Sequence, residues 1–193
     1  MTSHSDTEPS TNPISDEQQE EFAEAGKKLA KILRAGKIAS VTGWTLVVFG
    51  VLSALLGLFS LSGMVVAGAL LALGWNELRG RALLMGLDPE GARVLGWNQL
   101  ALIGLVVAYC LWQIYTSLVH PNPQLLELEE LVGIERELVA QLTIIVYTAV
   151  MVITAVAQGL LSRWYFAREK QLQSYLEETP AWIVTLQKFA SSK

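Results

Sequence analysis

Charged side chains make up only 17% of this 193-residue sequence, where an average soluble domain carries about 25%. The deficit points away from a solvated globule, and the 52% hydrophobic content and mean hydropathy of +0.39 agree. A single cysteine, Cys110, excludes an internal disulfide framework or a cysteine metal cluster. The two histidines, His4 and His120, are far apart in the chain and nominate no metal site. Six prolines and fifteen glycines are too few and too scattered for a fibrous or low-complexity chain. A net charge of −4 argues against a broadly basic nucleic-acid binder. There is no glycine-rich phosphate loop and no Gly-x-Ser-x-Gly. Neither catalysis nor a cofactor is therefore expected, and nucleic acid is not expected as a partner.

Where the charges are missing says more. Between Lys37 and Glu77 there are 39 residues without Asp, Glu, Lys or Arg, about twice the ~20 that carry a helix across a ~30 Å hydrocarbon core. That run predicts two crossings, broken at Ser60-Leu61-Ser62-Gly63, where Gly63 can take the positive φ of a tight reversal. Arg93 and Glu127 enclose 33 uncharged residues, apolar from about Trp97 to Val119, and Glu137 and Arg163 enclose 25 more. Segments such as 46–52 and 142–147 lack the polar stripe that a buried helix of a soluble protein shows. The fold class predicted is therefore an all-α integral membrane protein, a four-helix transmembrane bundle over residues 38–162 with spans near 38–59, 63–79, 97–119 and 139–162.

Thirteen of the fourteen basic residues flank the spans on one side, and only Arg136 falls on the other, among Glu127, Glu129, Glu130, Glu135 and Glu137. Retention of basic residues in the cytoplasm then places both termini and the middle loop inside and the acidic segment from His120 outside. A long polar leader before Ile38 argues for an uncleaved anchor, and the absence of glycosylation sequons suits a bacterial inner membrane.

Outside the spans, residues 1–14 are rich in Ser, Thr, Pro and Asp and are expected to be disordered. Ser15 with Gln18 makes a capping box for an amphipathic helix over 15–37, with Phe22, Leu29, Ile32 and Leu33 at helical spacing. It is read either as lying on the inner membrane surface, lysines near anionic lipid, or as a solvated helix leading into span one. Gly86 suits a helix stop and Asp88-Pro89 a helix start, so spans two and three form a hairpin. Its arms share an echo, Leu73-Gly-Trp-Asn-Glu-Leu and Leu95-Gly-Trp-Asn-Gln-Leu, in which Trp75 and Trp97 fit the interfacial belt and Asn76 can bond Asn98. Residues 163–178 are expected to project as a helix, followed by an amphipathic tail to 193.

Helices in lipid associate through close packing of small residues and through hydrogen bonds. Gly43, Gly50, Ala54 and Gly57 of span one and Gly63, Ala67 and Gly74 of span two are the expected packing residues. Spans three and four carry polar faces, Asn98, Tyr109, Gln113 and Thr116 on one and Thr143, Tyr147, Thr154 and Gln158 on the other, which are expected to meet. Glu77, Arg79, Arg81 and Arg93 crowd the cytoplasmic hairpin as candidate contacts for lipid phosphate or an acidic partner, with Glu77 and Arg81 as a surface i, i+4 pair. Cys110 reads as a packing residue and His120 as a boundary residue. The function expected is a non-enzymatic membrane scaffold or accessory subunit. Its partners are the lipid bilayer, further copies or a larger membrane complex, and anionic lipid at the cytoplasmic face. The alternative is a small permease or channel for a neutral or weakly polar solute, lined by the polar faces of spans three and four.

Overall fold

A computed structural model describes residues 15–58, 60–119 and 136–191. Those residues form five helices: α1 (Asp16–Leu56), α2 (Leu61–Met85), α3 (Pro89–Val119), α4 (Arg136–Glu178) and α5 (Ala181–Ser191). The first four are long and apolar enough to cross a membrane. The tail 1–14 and the acidic segment from His120 to Glu135 lie outside the described residues.

The sequence signals for helix starts act as capping chemistry requires. Ser15 Oγ accepts from Gln18 N at 3.3 Å and Gln18 Oε1 accepts from Ser15 N at 3.1 Å, closing the capping box. Asp88 Oδ1 accepts from Glu90 N at 2.9 Å, directly before Pro89 opens α3. Two boundaries differ from the sequence expectation. No break separates an amphipathic helix from span one. Instead α1 runs unbroken for 41 residues, about 60 Å. The first reversal falls at Gly57–Ser60, where Ser60 N donates to Gly57 O at 2.8 Å and Ser60 Oγ caps α2 by accepting from Gly63 N. Gly63 is thus already helical. Its lack of a side chain serves close approach, since a Cβ there would stand 2.7 Å from Gly57 Cα.

At the second reversal the left-handed residue is Leu87, φ 60°, rather than Gly86. That conformation costs a residue with a Cβ about 1–2 kcal/mol. It persists because Leu87 is buried beside Leu84 and Leu95 and because Leu87 N and Asp88 N donate to Leu84 O and Leu83 O.

The helices pair along the chain: α1 lies along α2, α3 along α4, and the α2–α3 hairpin joins the pairs. Burial is concentrated at one end, the end that holds the α2–α3 tip, called here the tip end. Ala25, Leu29, Ile32 and Ala35 of α1 pack there with Leu84, Leu87, Ala92, Leu95, Tyr165, Leu172, Tyr175 and Ile183. Ala25, Leu29, Ile32 and Ala35 are thus covered within the chain, while Phe22 on the same helix is exposed. Away from the tip end the helices present Val41, Trp44, Phe49, Trp112, Ile145 and Ile153, among others, on the outside.

Candidate functional site

The buried stripe of α2 is Ala67, Gly74, Glu77, Gly80 and Leu84, spaced by steps of three, four and seven. Helix phase therefore turns Glu77 inward although its charge suggests the surface. Its exposure is 0%. The expected surface pair with Arg81 does not form. Arg81 instead lies half-buried with its Nε enclosed without a partner, and Met85 stands where a Cβ on Gly36 of α1 would be.

Three neutral side chains from α3 and α4 bond this carboxyl of α2. Asn98 Nδ2 donates to Glu77 Oε2 at 2.5 Å and to the Leu73 carbonyl at 3.0 Å, and Gln99 Nε2 donates to Glu77 Oε1 at 2.9 Å. The Tyr165 hydroxyl reaches Oε1 from α4 at 3.5 Å. Asn76 Nδ2 donates to Asn98 Oδ1 at 3.0 Å, which fixes the amide that faces Glu77. One turn away Ser162 Oγ donates to the Gly96 carbonyl at 2.9 Å and ties α4 to α3 again. Glu77, Asn98, Gln99, Ser162 and Tyr165 are all buried.

The echoed hexapeptides form the seam of this hub. Asn76 meets Asn98, and Glu77 meets Gln99. Gly74 admits Val47 of α1 while Gly96 admits Phe166 of α4, so each arm of the hairpin uses its glycine to seat the outer helix of its own pair. Trp75 and Trp97 point outward. The Glu77 carboxyl braces three helices through these bonds, because a buried polar group that loses its partner is costly. Gln99 Oε1 is enclosed without a partner.

The other residues singled out from sequence divide into groups. Against α2, a Cβ on Gly43 would meet Leu78, one on Gly50 would meet Leu71, and one on Gly57 would meet Gly63. On the α2 side, Gly74 faces Gly43 and Val47. Ala67 is buried and Ala54 half-buried. The small residues of spans one and two thus face each other within the chain. Gly68, Gly104 and Gly159 have open space where a side chain would stand.

The polar faces of α3 and α4 meet only in part. Tyr109 and Tyr147 make an edge contact at 6.4 Å between ring centroids, Gln113 Nε2 donates to Tyr109 Oη at 2.8 Å, and Thr116 Oγ1 donates to the Gln113 carbonyl at 3.1 Å. Thr143 bonds its own helix at the Val139 carbonyl, Thr154 is half-buried, and Gln158 Oε1 is enclosed without a partner. Asn98 lies eleven residues along α3 from Tyr109, about 16 Å, and belongs to the Glu77 hub instead. Arg79 and Arg93 are exposed and Cys110 is buried. Among the described residues no three of His, Cys, Asp and Glu converge.

Sequence reasoning missed Glu77, Gln99, Ser162 and Tyr165 as one unit. The available signal was the echo, which puts Asn76 and Glu77 on one arm and Asn98 and Gln99 on the other arm of a single hairpin. No family model matches the sequence, and neither a curated protein nor a solved structure is significantly similar to it.

Proposed function

We propose that this chain is a multi-pass protein of a bacterial inner membrane, with both termini and the α2–α3 tip in the cytoplasm. It acts without catalysis as a scaffold or accessory subunit. The observation that carries the reading is the contrast between the two ends: α1 and α4 leave the apolar zone unbroken and lock with α5 into a packed head, while the rest of the bundle shows large apolar side chains outward. An apolar girdle of that extent suits lipid. A head built by continuing the spanning helices suits holding a partner at a fixed height above the membrane. On α5, Ile183 and Gln187 face inward and Trp182, Leu186 and Phe189 outward, which supports a contact surface there.

Self-association belongs to α3 and α4, whose Gly104 and Gly159 are open, since α1 and α2 occupy each other's grooves. Crosslinking in native membranes through a photoreactive residue at position 182 tests the partner surface, and Gly104→Leu with Gly159→Leu tests the copy contact. Adducts at 182, and loss of self-adducts in the glycine variants, are expected. A strictly monomeric protein without adducts overturns the proposal. The permease reading draws support from Gln158 and the Tyr109–Tyr147 pair, but Tyr109, Gln113 and Thr116 satisfy one another within α3, which leaves fewer polar groups to line a pathway.

A further inference from the structure

Beyond the apolar zone α1 and α4 separate enough to leave a cleft of about 450 Å³, a size that suits a small molecule rather than a folded partner. Ile32 and Tyr175, both buried, line it. Lys28 and Lys31 line it from α1, Arg168 and Lys170 from α4, against a single carboxylate, Glu178. The Glu178 carboxylate accepts from Ser174 Oγ at 2.6 Å. Among the described residues none of the four cations forms an ion pair, although acidic residues outnumber basic ones, 18 to 14, in the chain.

Arg168 is not a free surface arginine. Its guanidinium sits 4.9 Å over the Trp164 ring, its Nη1 is held by Gln171 Oε1, and its Nε is enclosed without a partner. A planar donor fixed in this way, flanked by three flexible ammonium groups, matches the geometry of a phosphoryl group, which carries close to two negative charges and several acceptor oxygens. We infer that this cleft binds a phosphate-bearing anion.

Two sources share that chemistry. Lys31 precedes the start of span one by seven residues and Arg168 follows the end of span four by six, so both stand about 10 Å beyond the hydrocarbon. A headgroup layer reaches out only about 5–7 Å. A lipid phosphate would thus enter from the rim of the cleft and a soluble phosphate from the open side. The inference does not depend on the scaffold function.

The test uses the full chain. In uncharged detergent it is titrated calorimetrically with inorganic pyrophosphate; in nanodiscs of phosphatidylcholine, with or without phosphatidylglycerol, its thermal midpoint is measured. The variants are K31Q/R168Q and, because Lys28 and Lys170 are fully at the surface, K28Q/K170Q, which cannot act through loss of packing. K27Q/R163Q removes the same charge outside the cleft. Expected is saturable binding that weakens with added salt and falls about tenfold or more in both cleft variants while K27Q/R163Q keeps it. A response to pyrophosphate identifies a soluble ligand, and a response confined to phosphatidylglycerol discs identifies a lipid. No response of the wild-type chain to either probe, or an equal loss in K27Q/R163Q, overturns the assignment.

Discussion

At the scale of single residues, Glu77 controls how firmly the tip end holds together. Asn98 serves it twice over, donating to the Glu77 carboxyl and to the Leu73 carbonyl, so Asn98→Leu strips one partner from a buried carboxyl and leaves a backbone acceptor unpaired. A loss of about 2–4 kcal/mol is expected, read from the unfolding equilibrium in mixed micelles. Glu77→Gln is expected to cost only about 1 kcal/mol, because the amide keeps the shape of the carboxyl and retains an acceptor for its neighbours. Equal losses in the two variants would mean that the hub is held by packing alone. None of this was visible while Glu77 was read by its charge. Its place follows from phase, three residues after Gly74 on the side of α2 that lies between α1 and α3, and phase becomes informative only once the neighbours on that side are known.

Helices as units were the most legible part of the chain. Uncharged runs located all four long ones, and the Ser15–Gln18 box and Asp88-Pro89 located two of their starts, because desolvation and capping act over a few neighbouring residues. Continuity was harder to see. Nothing between Arg34 and Gly43 forbids a helix, and whether 15–37 lies on a membrane or continues α1 depends on Leu172, Tyr175 and Ile183, which are more than a hundred residues away. The glycines sort by what they face. A Cβ on Gly91 would run into the backbone nitrogen of Leu84 and stand 2.7 Å from the Gly80 carbonyl oxygen, whereas one on Gly104 meets nothing within 4 Å. Backbone cannot rotate aside as a side chain can. Gly91→Ala is therefore expected to wedge α2 from α3 and destabilise by about 3 kcal/mol or more, while Gly104→Ala is expected to be neutral or to stabilise by up to about 1 kcal/mol through helix propensity. Thermal midpoints of the two purified variants distinguish these outcomes.

Across the whole molecule, the head and the apolar bundle differ in what maintains them. Ile183 and Gln187 of α5 cover the side of α4 that carries Leu172 and Tyr175, and the Tyr175 hydroxyl bonds Gln187 Oε1. Ending the chain at Glu178 removes that cover. Amide exchange is then expected to rise by at least about tenfold across residues 16–35 and 168–178, as buried apolar contacts are lost there, with little change over 97–119. Uniform loosening of all helices would show instead that the head and the bundle unfold together. The pairing of α1 with α2 and of α3 with α4 was foreshadowed by the glycines for the first pair only. For the second pair the polar faces gave an expectation that Tyr109 and Tyr147 meet in part, while Phe166 against Gly96 and Ser162 on the Gly96 carbonyl are contacts that no local pattern announces.

An uninterrupted α1 also has a mechanical meaning. A rod about 60 Å long that pivots by about 5° swings its free end through about 5 Å, and no hinge along Asp16–Leu56 absorbs the motion. Because Gly57 and Gly63 touch at the far end, a displacement of the head would be felt there as a lever stroke without any helix having to unwind.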